Sequence, residues 1–371
     1  MTKTIEHSPS RQSMDRLSRL LLPARNAGSP ASHAGAELGH ELAGISREEF
    51  DDLVALAGSN HVIVRGLEVF LHLMRAEKNA THAEWAMDAL ATERARVATA
   101  ILFLGEICNA FAERDYPVSV IKSLDHWPDL GSDIDLYTSA SPNDVIRLMK
   151  DRFKAELAPR SWGDRLACKW NFLLPGLPEA VEIHMGRLGQ TGEQVVIASS
   201  ILERTRTIML CGHAFRVPSA SDRLMISTLQ RMYRHFYFRL CDIVDSAWLA
   251  DSGGIDYENL RTLARHAQIW EGAATYLAIV SDYVKSYRGA GLDLPNFVTA
   301  AARFGGDRIY YGRGFLRVPI LPQSAGLYTS QLAGVLGKGE FSSGARLSLL
   351  PWLATAAVVG QKLTGSDKGI W

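Results

Sequence analysis

Two aspartates separated by one residue stand in the stretch Gly131-Ser132-Asp133-Ile134-Asp135-Leu136. As a strand, this stretch buries its apolar residues on one face and presents Asp133 and Asp135 on the other. Adjacent carboxylates repel each other unless a cation lies between them, and hard cations such as Mg²⁺ take oxygen ligands and contact phosphates. An Asp-x-Asp triplet also arises by chance about once in a chain of this length. The residues around the triplet must therefore show whether it is a metal site or a chance occurrence.

A second stretch, Val181-Glu182-Ile183-His184, alternates in the same way. If it lies beside the aspartate strand, Glu182 becomes a third carboxylate, and three acids can hold two metal ions for in-line displacement at phosphorus. A carboxylate of this group can also accept the proton of an acceptor hydroxyl. The alternative is an ordinary solvated strand face. We predict that His184 orients Glu182, because a lone histidine is more often structural than catalytic.

The loop before the aspartates contains Lys122-Ser123, with Ser123 ten positions before Asp133. A hydroxyl residue at the end of a strand can bring its side chain and nearby backbone N–H groups against a phosphate. Taken alone, these residues are explained more simply as a polar loop.

The regular elements around these residues divide the chain into five parts. Residues 1–45 are predicted to be poorly ordered, apart from a helical turn or two near Met14 to Leu22. Ser46 and Glu49 have capping-box spacing, so a helical region is predicted over 46–116. Strands with one helix are predicted over 117–218, a second helical region over 219–300, and an extension of unknown role over 301–371. The predicted fold is α+β, a small mixed β-sheet core flanked by N- and C-terminal helical regions.

A single helical stripe is predicted from Leu229 to Ala247, with Arg231, Arg234 and Arg239 off it. These arginines either face the cleft or, as the commoner arrangement, form a solvated face paired with Asp242 and Asp245.

Composition limits the classes of partner, compartment and location that the chain can have. The 371 residues include 40 Lys+Arg and 40 Asp+Glu, so net charge does not indicate a nucleic-acid partner. The four cysteines form no C-x-x-C pair, which favours a reducing compartment over a disulfide or zinc framework. The sequence shows neither a signal-peptide layout nor a transmembrane run, so a cytoplasmic location is predicted.

In order and spacing, these pieces resemble the polymerase-β-type nucleotidyltransferase superfamily. Its pattern is hG[GS], a gap of about ten residues, Dh[DE]h, and a third acid on a later strand. More specifically, the chain resembles an uncharacterised bacterial nucleotidyltransferase-like family over roughly residues 60 to 250. The matching pieces are Val120-Ile121-Lys122-Ser123, Asp133–Leu136, Val181–His184, Cys211-Gly212-His213 and Leu240–Asp245.

The resemblance implies transfer of a nucleoside monophosphate from an NTP to an unidentified acceptor. Asp133, Asp135 and Glu182 would be the catalytic and metal-binding acids, holding Mg²⁺ or Mn²⁺, and Lys122 with Ser123 would hold the triphosphate. Acceptors in the superfamily include small molecules, sugars, proteins and tRNA ends. The sequence specifies neither the acceptor nor the base of the nucleotide.

The chain departs from the superfamily pattern at its glycine. Either Lys122 stands in the glycine position, or Ser123 replaces the glycine of a Lys-Gly pair. Glycine lets the backbone approach a phosphate closely, and Lys122 can compensate only as a point charge. A catalytically weak or inactive nucleotide- or partner-binding module is therefore the alternative. The third alternative is a helical scaffold with an incidental acidic strand.

Overall fold

The structure is a computed structural model that describes residues 11–23, 33–353, 355–356 and 359. Two helical parts flank a small mixed β-sheet, so the predicted α+β class is confirmed. Elements are numbered below in chain order.

The N-terminal part is entirely helical in the described residues. Its helices are α1 (Arg11–Leu21), α2 (His33–Ala43), α3 (Arg47–Ser59), α4 (Ile63–Ala76) and α5 (Ala80–Ala112). The capping box at the start of α3 is confirmed: the Glu49 N–H donates to Ser46 Oγ at 3.2 Å, and the Ser46 N–H donates to Glu49 Oε2 at 2.8 Å.

In the described part of residues 1–45, the amphipathic piece near Met14 forms a longer helix than the predicted turn or two, and α2 is a second helix that the sequence does not predict. Helix α1 buries Met14, Leu17 and Leu20 in a core shared with α3 and α4. Its basic side chains pair with Glu41 on α2, at 2.9 Å from Arg16 and 2.6 Å from Arg19. The amphipathic pattern near Met14 thus builds a full docked helix. Residues 1–10 and 24–32 lie outside the described residues.

Helix α5 has the length and hydropathy of a membrane span. Ile101, Leu104 and Phe111 on this helix are fully buried in the core that includes the sheet residues Ile134 and Leu136. It is a core helix by its contacts, and the described part of the chain contains no clear transmembrane segment. The cytoplasmic location stays a prediction.

The central part is built on a five-stranded sheet in the order β1-β2-β5-β4-β3, with a separate hairpin of β6 and β7. Strands β2 and β5 are parallel, and the other neighbours are antiparallel. The elements are β1 (Val118–Val120), β2 (Asp133–Thr138), α6 (Pro142–Phe153), β3 (Glu156–Leu157), α7 (Trp162–Leu166), β4 (Lys169–Leu173), β5 (Ala180–Met185), α8 (Val195–Ser200), β6 (Thr205–Leu210) and β7 (His213–Pro218).

The C-terminal part is helical with a small antiparallel sheet. Its elements are α9 (Ala220–Thr228), β8 (Tyr237–Phe238), α10 (Leu240–Asp251), α11 (Tyr257–His266), α12 (Trp270–Arg288), α13 (Asn296–Thr299), β9 (Tyr310–Gly312), β10 (Phe315–Arg317), α14 (Ala325–Gly337) and α15 (Phe341–Leu347).

The continuous helix predicted from Leu229 to Ala247 is wrong. A π-helical turn, Leu229–Arg234, follows α9, Phe236 has φ 55°, and β8 then pairs with β10 before α10 begins. The apolar spacing misleads because residues on both sides of the break pack into one core. The break turns the arginines of this segment toward the sheet.

Candidate active site

The two acidic strands are neighbours, as predicted. In the parallel pairing of β2 with β5, Asp135 lies opposite Glu182, and Asp133 lies opposite Ala180. The residues between them, Ile134 and Val181, are fully buried. The apolar residues therefore anchor both strands and direct the carboxylates to one face of the sheet.

Two lysines neutralise these carboxylates. The Lys122 ammonium contacts Asp135 Oδ1 and lies 3.5 Å from Glu182 Oε1. On β4, Lys169 bridges Glu182 Oε2 and Asp164 Oδ1, at 2.8 Å from each. A positive charge thus stands between Asp135 and Glu182, where the sequence predicts a metal ion.

His184 lies beside Glu182, in agreement with its predicted orienting role. Its Nε2 is 2.9 Å from Glu182 Oε1 and 3.9 Å from Asp135 Oδ1. Burial lowers the pKa of His184 to about 4, against the opposing effect of Glu182, so the ring is neutral near pH 7. Its Nδ1 is buried and has no hydrogen-bond partner among the residues that the structure describes.

The acids differ in protonation. Burial raises the pKa of Asp135 to about 8, and the Glu182 charge adds to the effect while Lys122 opposes it. Burial also opposes ionisation of Glu182, but Lys122, His184 and Lys169 hold its pKa well below the usual value. Burial and the Glu182 charge raise the pKa of Asp133 as well. Glu182 is therefore the ionised member of the Asp135–Glu182 pair at neutral pH.

The Lys122-Ser123 turn occupies the predicted loop. Lys122 has φ 62° and ψ −58°, and the Ser123 N–H donates to Ile121 O at 2.6 Å, which makes a γ-turn with positive φ at its centre. Glycine adopts such a conformation with the least strain, so Lys122 holds it at a cost.

Ser123 is buried, and its hydroxyl is hydrogen-bonded to the backbone of β2. Its Oγ accepts a hydrogen bond from the Asp135 N–H at 2.8 Å and donates to the Asp133 carbonyl at 3.4 Å. The hydroxyl thus fixes the start of the acidic strand, and its predicted contact with a triphosphate stays a prediction.

A cavity of about 180 Å³ lies over these acids. Asp133, Asp135 and Glu182 line one side with Lys122 and Ser123, and the segment after α9 lines the other. That second side consists of Gln230, Arg231, Arg234, His235, Tyr237 and Arg239.

Of the two arrangements that the sequence leaves open for these arginines, the solvated face is wrong, because all three line the cavity, although the predicted pairing with Asp242 is present for Arg231. Arg231 is buried and pairs with Asp242 at 2.7 Å, while Asp245 pairs with Arg65 and His126. Arg234 and Arg239 line the cavity, and within the described ranges neither forms an ion pair with a carboxylate. Two uncompensated guanidinium groups therefore face the acidic side.

The donor set fits a divalent cation. Ligand atoms of Asp135, Glu182 and His184 lie within 4.8 Å of one another. Asp133 lies outside this tight group but lines the same cavity. Carboxylate oxygens are the donors that Mg²⁺ and Mn²⁺ prefer. An ion held by Asp135 and Glu182 would take the place of the Lys122 ammonium.

Sequence reasoning missed Asp164 and left the role of Lys169 open. Side chains alternate along the strand from Lys169 to Phe172, so Lys169 lies on the face opposite to the buried Phe172. This alternation is the sequence signal that Lys169 points away from the core. The pairing of β4 with β5, which brings Lys169 to Glu182, has no local signal. Comparison with protein-family models, with curated proteins and with solved structures finds no match for this chain.

Proposed function

We propose that this chain is a metal-dependent nucleotidyltransferase, which moves a nucleoside monophosphate from an NTP to an unidentified acceptor. One observation carries the proposal: a single cavity is lined by three carboxyl groups and by two arginines that form no ion pair with a carboxylate in the described part of the chain. A metal–triphosphate needs both, because its cation takes carboxylate oxygens and its phosphates take guanidinium groups. The resemblance in motif order supports the same class.

In this proposal Asp133, Asp135 and Glu182 hold Mg²⁺ or Mn²⁺. The bound ion would neutralise phosphate charge and orient the reacting oxygens. Arg234 and Arg239 bind phosphate oxygens from the opposite side. The Lys122 ammonium leaves Asp135 and binds the triphosphate, and Lys169 keeps Glu182 ionised and in place.

The reaction is an in-line displacement. An oxygen of the acceptor forms a bond to the α-phosphorus. At the same time the bond between the α-phosphorus and the α,β-bridging oxygen breaks, and pyrophosphate leaves with that oxygen. For a hydroxyl acceptor, the proton of the hydroxyl passes to one of the carboxylates of Asp133, Asp135 and Glu182. Arg234 and Arg239 stabilise the charge that develops on the departing pyrophosphate.

The test is incubation of the full chain with each α-labelled NTP, Mg²⁺ or Mn²⁺, and cell extract. We expect a labelled product from one or more α-labelled NTPs and none from the γ-labelled NTP. Asp133→Asn should abolish labelling while circular dichroism shows an unchanged fold. Label transferred from the γ position, or full activity in Asp133→Asn, would overturn the proposal.

A second candidate is a nucleotide-binding module without turnover. Lys122 favours it, because this residue already compensates Asp135 and Glu182 without any metal. Calorimetry with NTP, with and without Mg²⁺, separates the candidates. Metal-independent binding without product supports the module, and absence of binding excludes both in favour of a scaffold.

A further inference from the structure

We propose a second metal site, for a borderline cation such as Zn²⁺, formed by His61, His126 and Cys241. Ligand atoms of these three residues lie within 4.8 Å of one another. They come from the turn between α3 and α4, the loop between β1 and β2, and the first turn of α10. The proposal is independent of the proposed function, which uses none of these residues.

The donor chemistry separates this site from the carboxylate site. Two imidazoles and a thiolate suit Zn²⁺, whereas Mg²⁺ prefers oxygen. Cys241 Sγ lies 3.8 Å from His126 Nε2. On a tetrahedral zinc with bonds of about 2.3 Å to sulfur and about 2.0 Å to nitrogen, these atoms would be about 3.5 Å apart. The pair therefore needs little movement to bind one ion.

A carboxylate holds His126 in the orientation that a metal ligand requires. Asp245 Oδ2 lies 2.5 Å from His126 Nδ1, and Arg65 Nη1 holds Asp245 Oδ1 at 2.6 Å. Arg65 is held in turn by Asp129, with Nε at 2.7 Å from Oδ2. Metal-binding histidines commonly donate one ring N–H to a carboxylate in this way. With a proton on Nδ1 donated to Asp245, Nε2 is the ring nitrogen that would coordinate the ion beside Cys241.

His61 has two unusual features at the same place. Its backbone φ is 55°, a left-handed conformation that non-glycine residues seldom adopt. Its Nδ1 is buried with no hydrogen-bond partner in the described part of the chain. Gly131 leaves room for the ring, since a Cβ there would lie 3.1 Å from His61 Cε1. Ligation would give this imidazole a partner and account for the strained backbone that presents it.

Cys241, His126 and Asp245 also have the order of a thiol–imidazole–carboxylate triad, but the thiol is inaccessible. Cys241 has 0% of its surface exposed and does not line the cavity. His61 and His126 do line it. A buried ligand with two cavity-lining ligands fits a three-residue metal site in which a fourth ligand comes from the cavity.

The test uses the full chain, treated with a chelator and titrated with Co²⁺ as a spectroscopic substitute for Zn²⁺. We expect one equivalent to bind with the d–d bands of tetrahedral Co²⁺ and a thiolate-to-cobalt charge-transfer band. Cys241→Ser should remove the charge-transfer band, and Cys211→Ser, at an exposed free cysteine, should retain it. Glu182→Gln should also retain it, because Glu182 belongs to the carboxylate site.

His61→Asn keeps the fold testable, because asparagine tolerates left-handed backbone. This variant should fold by circular dichroism and bind Co²⁺ at least tenfold more weakly. Absence of the charge-transfer band in wild type, its survival in Cys241→Ser, or unchanged affinity in His61→Asn would overturn the proposal.

Discussion

The ammonium of Lys122 lies against the carboxylate of Asp135, with Glu182 Oε1 3.5 Å away. Lys122 reaches this position from the γ-turn at whose centre its own backbone has φ 62°. The positive-φ turn and the occupation of the predicted cation position therefore involve the same residue. A metal ion and the Lys122 ion pair exclude each other.

Lys122→Gly should make the site depend on divalent cations for stability. Without metal, loss of the ammonium leaves Glu182 less compensated, and breaking a buried ion pair costs about 3–5 kcal/mol of unfolding free energy. Release of the positive-φ strain offsets about 1 kcal/mol of this loss. Urea unfolding with and without Mg²⁺ should show a larger Mg²⁺ stabilisation in the variant than in wild type.

Lys122→Met is the matched control, because it removes the charge but retains a side chain at positive φ. It should be less stable than Lys122→Gly by about 1 kcal/mol and should show the same gain in Mg²⁺ dependence. Equal Mg²⁺ effects on all three proteins would mean that Lys122 does not occupy the cation site.

Arg234→Gln should weaken nucleotide binding without loss of stability. A charge-assisted hydrogen bond to phosphate contributes about 1.5–3 kcal/mol, so the Kd should rise about tenfold to hundredfold. Stability should stay equal or rise, because Arg234 forms no ion pair within the described ranges and its charge disfavours the Lys169 ammonium. Calorimetric titration with NTP and thermal unfolding measure the two effects.

Arg147→Gln is the control for Arg234. Arg147 is an exposed residue of α6, outside the cavity lining, so its loss should leave the Kd unchanged. A similar rise in Kd for both variants would indicate a general effect of charge rather than a contact in the cavity.

Ser123→Ala should lower stability through the acidic strand. The Asp135 N–H loses its 2.8 Å acceptor in a buried place, which costs about 1–3 kcal/mol. Ser123→Thr restores a hydroxyl and should recover part of the loss, and Ser132→Ala, at an exposed position, should have little effect. Unchanged unfolding free energy with weaker NTP binding would instead favour the predicted phosphate contact.

Local patterns were sufficient to predict the strands, their buried faces and the caps. Period-two alternation predicted that Asp135 and Glu182 point away from the core, and the structure pairs them directly. The Ser46 cap was equally readable, since it needs only a few neighbouring residues.

Features that depend on distant contacts could not be predicted. The break after Leu229 lies inside a helical apolar period, because both sides of it pack into one core, and the pairing of β8 with β10 spans about eighty residues. The approach of His126 to Cys241 likewise depends on how α10 packs on the loop after β1. Contacts of this kind between residues distant in sequence determine the electrostatics of the site, and no local sequence pattern indicates them.

Glu41→Gln should destabilise the docked N-terminal helices in a pH-dependent manner. Burial raises the pKa of Glu41, but the hydrogen bonds and charges of Arg16 and Arg19 outweigh it and hold the pKa below the usual value. A carboxyl group with a lowered folded-state pKa stabilises the fold above its unfolded pKa of about 4.3, and this contribution is lost as the pH falls through the folded value. Wild type should therefore exceed the variant by about 0.5–1 kcal/mol of unfolding free energy at pH 7, and by almost nothing near pH 3.

Glu48→Gln, at an exposed position in the first turn of α3, should show no such trend. A pH-independent difference for Glu41→Gln would mean that packing, not the ion pairs, accounts for the effect.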